Sequence, residues 1–190
     1  RNDTLLPITC DKFLFLKLFE SIGQISGLAL RRAWITTRFH QDIFPGHMYP
    51  IVEIWKHHPG IYIHNYIVAV GTETSQSKTL STVYDDSPTE QWLRMFSSVF
   101  SKYHQLQEWG REHALTNYLG LIQIKNYGSM KSLTKEIAIL IRERKQNLYS
   151  LTFLFFITIV IVTPRKVLRI LTDLYKRHVL SRTIPPIHFK

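Results

Sequence analysis

The amino-acid sequence predicts an α+β fold: a small β-hairpin or sheet packed on an amphipathic helix, followed by a C-terminal transmembrane helix and a basic amphipathic tail helix. Three features of the chain predict it. Residues 146–164 form a run of 19 residues without formal charge. A β-branched stretch is interrupted by the turn chemistry of Pro59 and Gly60. A capped helical pattern opens at Ser87. The expected organisation is an apolar N-terminal helix within residues 1–30, an α+β domain over 31–130, a helical neck over 131–145, the span over 146–164 and a basic tail over 165–190.

In residues 1–30, Asp11 is placed as an N-cap ahead of an apolar run that starts at Phe13. Side chains such as Phe15, Leu16, Phe19 and Ile22 leave no clean polar face. Three readings stand beside one another: a core helix, an interfacial helix, or a second span. Lys17 and Glu20 at mid-depth oppose the last, since each charge costs about 2.5–3.5 kcal/mol on insertion scales. Gly23 and Gly27 make a G-x-x-x-G, a spacing that permits close helix approach in lipid.

The domain begins with the hairpin. Residues 49–55 and 61–70 are rich in Ile, Val and Tyr and flank His57, His58, Pro59 and Gly60. Such runs on either side of a turn read as paired strands. Residues 79–84 are a candidate third strand. Ser87-Pro88-Thr89-Glu90 is a capping box with proline at the first helical position. Apolar residues at helical spacing carry that helix over 87–109, with Gly110 as its stop. Residues 119–127 read as another short strand, and 132–144 as a helix joining the span.

Helical residues rise about 1.5 Å each, so the 146–164 run reaches about 28 Å, close to one hydrocarbon core. Ser150, Thr152 and Thr158 lie within it as candidate helix–helix contacts. The tail holds seven of the 24 basic residues and one acidic residue. Arg165, Lys166, Arg169, Lys176 and Arg177 are the expected lipid-interface residues. Basic residues near a bilayer attract anionic headgroups by about 1 kcal/mol each. Five basic residues flank each side of the span, so the positive-inside rule leaves its orientation open.

Chemistry is thinly signalled. His57, His58 and His64 lie close in sequence, yet no zinc-binding spacing accompanies them. Asp85 and Asp86 precede the capped helix without an identified partner. Cys10 is the single cysteine, which excludes an internal disulfide. No phosphate loop or nucleophile elbow occurs, and no metal or other cofactor is expected. The net charge of +10 also invites nucleic acid, but no RNA or DNA motif supports that partner.

The functional expectation is a non-catalytic subunit of a membrane protein complex, an integral single-pass protein with the α+β domain as docking module. Its expected partners are other membrane subunits and anionic lipid headgroups. The expected location is the endomembrane or plasma membrane, or the mitochondrial inner membrane. The first alternative is a membrane-bound enzyme or lipid-handling protein using His57, His58, His64 and Asp85. The second is a soluble basic protein associated with nucleic acid.

Overall fold

Asp11 begins the first helix as its sequence requires. Its Oδ1 accepts the Leu14 backbone N–H at 2.9 Å, satisfying one of the amides that a helix N-terminus leaves unpaired. The computed structural model describes residues 3–21, 28–63, 81–175 and 178. Among them lie eight α-helices: α1 (Lys12–Ser21), α2 (Met48–His57), α3 (Pro88–Val99), α4 (His104–Thr116), α5 (Leu119–Tyr127), α6 (Met130–Glu143), α7 (Leu151–Val162) and α8 (Arg165–Tyr175). Two three-residue strands, β1 (Thr4–Leu6) and β2 (Gly60–Tyr62), pair antiparallel with Leu5 opposite Ile61.

The fold is therefore mostly helical, which corrects the α+β expectation. Residues 49–55, expected as a strand, belong to α2. Met48, Ile51, Val52 and Trp55 fall at i, i+3, i+4 and i+7 and are all buried, so helical periodicity prevails over β-branched composition. Pro50 sits in the first turn, where its missing N–H costs no helical hydrogen bond. Residues 119–127 form α5 rather than a strand, burying Leu121 and Ile124. Residues 81–84 form a 3-10 turn, not a strand. Most of the expected second hairpin strand, Gly23, Gly27, and residues 79–80 lie outside the described residues.

The 87–109 helix is two helices. Ser87 caps α3, its hydroxyl oxygen accepting the Glu90 N–H at 3.1 Å. The chain then turns through Phe100 and Tyr103, whose N–H donates to the Phe100 carbonyl at 2.8 Å. Gly110 is no stop; it lies inside α4. A Cβ there would come within 2.3 Å of the Phe96 ring, so only glycine lets α4 close on α3.

Two apolar cores result. Phe15, Phe19, Val52, Trp55, Phe96 and Phe100 anchor the first, between α1, α2, α3 and α4. Tyr84, Tyr118, Leu121, Leu140, Phe153 and Val160 anchor the second, between α5, α6 and α7.

The expected transmembrane helix is absent. No helix among the described residues is long and apolar enough to cross a membrane, which overturns the single-pass and integral-membrane expectations. Residues 145–149 form a 3-10 turn, and α7 covers only 12 residues, about 18 Å against a hydrocarbon core of about 30 Å. Asn147 causes the break. It is fully buried. Its amide nitrogen donates to the Leu115 carbonyl at 3.2 Å and the Leu140 carbonyl at 2.9 Å, while its oxygen accepts from Tyr118 Oη at 2.9 Å and Arg144 Nη1 at 2.7 Å. The run lacks charge, but it does not lack a polar anchor.

Candidate functional site

The basic tail begins at α8, where polar and apolar residues segregate sharply. Arg165, Lys166, Arg169, Thr172 and Asp173 occupy one arc at 100° per residue; Val167, Leu168, Ile170, Leu171, Leu174 and Tyr175 occupy the other. An amphipathic helix of a globular protein ordinarily turns its apolar arc inward. Here only Leu168 is buried, and Ile170 and Leu171 are 59% and 54% exposed. The helix attaches to α5 by one edge. Thr172 Oγ1 accepts from Asn126 Nδ2 at 3.4 Å, and Leu168 packs beside it. The rest of the apolar arc is left facing outward. On α7, Phe153 and Val160 face the core, whereas Leu151, Phe155, Ile161 and Val162 are exposed.

The expected lipid-interface residues divide. Arg165 is an anchor: its Nε donates to the Lys125 carbonyl at 2.9 Å and its Nη2 to the Gly128 carbonyl at 2.7 Å. It thereby serves the C-terminus of α5, where unpaired carbonyls favour a cation. Arg169 lies over the Tyr127 ring, 4.9 Å from its centroid. Lys166 is exposed. Lys176 and Arg177 lie outside the described residues. The three expected helix-contact residues also separate. Ser150 caps α7, its Oγ accepting from the Phe153 N–H at 3.4 Å. Thr158 turns its hydroxyl to the Leu154 carbonyl of its own helix at 2.9 Å. Thr152 is exposed.

The described residues of the catalytic alternative, His57, His58 and Asp85, make separate contacts. His57 approaches Glu53 at 3.9 Å, while His58 stacks on Trp34 with ring centroids 3.9 Å apart. Asp85 Oδ1 accepts from Ser132 Oγ at 3.4 Å, and His64 lies outside the described residues. Among the described residues, no three His, Cys, Asp or Glu side chains gather as a metal site. Cys10 is buried; that burial, then the neighbouring Asp11 charge, pushes its thiol pKa up, away from the thiolate that reactivity needs.

Two polar features were not expected from sequence. Asp42 is buried and accepts from Tyr49 Oη at 2.8 Å, with Arg94 Nη2 at 3.0 Å and His40 Nδ1 at 3.1 Å. Burial and the bond to Asp42 raise the Tyr49 phenol pKa strongly, so this side chain is a fixed donor rather than a base. The second is a cavity of about 400 Å³ between the cores. Its lining includes Phe19, Phe44, Tyr84, Trp92 and Phe96, together with Glu136. Neither is visible as a motif, because α2, α3, α5 and α6 supply residues far apart in sequence.

No family model, curated protein or solved structure matches this chain.

Proposed function

We propose that this chain is a non-catalytic docking subunit of a membrane-associated complex, seated peripherally on an anionic bilayer face through α8 and the outward side of α7. The observation that supports the reading is the outward apolar arc of α8, bordered by Lys166. Helices of this composition lie in the interfacial plane, with the apolar side among the acyl boundary and the cations at headgroup level. Lys166 and Ile170 are i,i+4 neighbours, so the ammonium reaches the headgroups as the isoleucine enters the boundary. Arg165 contributes by holding α8 to α5 rather than by touching lipid.

Sedimentation with vesicles tests this reading. The intact chain is expected to pellet with phosphatidylserine-rich vesicles at low salt, less so at high salt, and weakly with pure phosphatidylcholine. Lys166→Gln should weaken binding about fivefold, the equivalent of about 1 kcal/mol for one cation. The triple variant Ile170→Glu, Leu171→Glu and Leu174→Glu should abolish it while leaving the circular dichroism spectrum unchanged. Retention of full binding by a folded triple variant removes α8 as the binding surface.

A further inference from the structure

We propose that the cavity between the two cores is a binding site for a small organic cation, an amine or quaternary ammonium on an apolar body. This inference is independent of the bilayer reading. The volume of about 400 Å³ lies within the range of small-molecule sites. Phe19, Phe44, Tyr84, Trp92 and Phe96 supply aromatic walls, and the electron-rich face of an aromatic ring attracts cations. Glu136 lines the same cavity and is 4% exposed. It accepts from Ser87 Oγ and from the Thr89 N–H, the latter at 3.1 Å. Those donors and the N-terminus of α3 orient the carboxylate. A carboxylate offers about four lone-pair sites, so two donors leave capacity for a ligand N–H. Aromatic walls and a buried carboxylate select the same ligand charge, and they disfavour an anion of equal size.

Calorimetric titration of the intact chain with phenethylammonium, 2-phenylethanol and phenylacetate tests the charge preference at nearly constant shape. Phenethylammonium should bind about tenfold tighter than the alcohol, as a desolvated cation on aromatic faces implies, and phenylacetate weakest. Glu136→Gln keeps an acceptor for the Thr89 N–H and should bring the ammonium down to the alcohol's affinity. If that variant fails to fold, Gly120→Leu serves instead. Gly120 lines the cavity, and a Cβ placed on it meets nothing within 4 Å, so leucine enters open space. It should abolish binding of all three probes. Absence of ammonium binding, equal affinity for the alcohol, or undiminished binding to folded Gly120→Leu overturns the proposal.

Discussion

Single residues decide where this chain departs from its own hydropathy. Asn147 makes four hydrogen bonds at a fully buried position. Asn147→Leu would extend the apolar run, yet it would strand the Leu115 carbonyl and the Tyr118 hydroxyl. Leaving such buried partners unmet should cost about 3 kcal/mol. Urea denaturation of the variant measures it, and a loss below about 1 kcal/mol would mean water replaces the amide. Counting formal charges passes over such a residue, since a neutral amide is strongly polar yet carries no charge. Gly110 presents the opposite case. Gly110→Ala ordinarily favours a helix, by about 0.5–1 kcal/mol, but here the added methyl meets the Phe96 ring at 2.3 Å. The clash should prevail, with a net loss of about 2 kcal/mol in the same assay. Nothing in the local sequence separates this glycine from a helix stop; only the partner helix does.

Among elements, the starts were more legible than the types. Asp11 and Ser87, both expected as caps, precede helices whose first amides they accept, because a cap is a local bond between residues three apart; Ser150, expected as a helix–helix contact, caps α7 instead. The strand assigned to 49–55 misread α2 for a physical reason: Ile, Val and Tyr favour strands through packing on a sheet, and no sheet forms there. The i, i+3, i+4, i+7 set from Met48 to Trp55 was present in the sequence and held the correct answer. The joining of helices was not legible. Glu143 of α6 meets Arg111 of α4 at 2.8 Å and Arg142 at 3.1 Å. The Arg111 guanidinium, then that of Arg142, hold its carboxyl below the ordinary value of 4.5. Lys12 of α1 acts likewise on Glu112 of α4. A carboxyl with a lowered folded pKa stabilises the fold fully above its unfolded value and loses that contribution as pH falls through the folded one. Glu143→Gln should therefore lower stability at neutral pH by about 0.5–1 kcal/mol, typical of partly exposed pairs. Its gap to the parent should close as pH falls below 4.5. Thermal melts of both chains across that interval decide it; a gap independent of pH would assign the effect to packing instead.

At the scale of the molecule, the two cores share their walls. From α3, Phe96 and Val99 enter the first core and Leu93 the second; from α4, Leu106 enters the first and Leu115 the second. Ala114 touches both. Unfolding either core exposes one side of helices that the other needs, so the pair should unfold as one cooperative unit. The chain supplies its own reporters. Three of the four tryptophans, Trp55, Trp92 and Trp109, belong to the first core; the fourth, Trp34, stacks on His58 just after α2, and the aromatic residues of the second core are tyrosine and phenylalanine. Tryptophan fluorescence therefore follows the first core, while far-ultraviolet circular dichroism follows the helices of both. The two midpoints in urea should coincide, and Gly110→Ala, which acts at the α3–α4 contact, should move them together. A second, later transition seen by circular dichroism alone would make the α5–α7 core an independent unit. The exposed arc of α8 would then belong to a module that can be severed from the first core, rather than to a surface that the whole molecule holds in place.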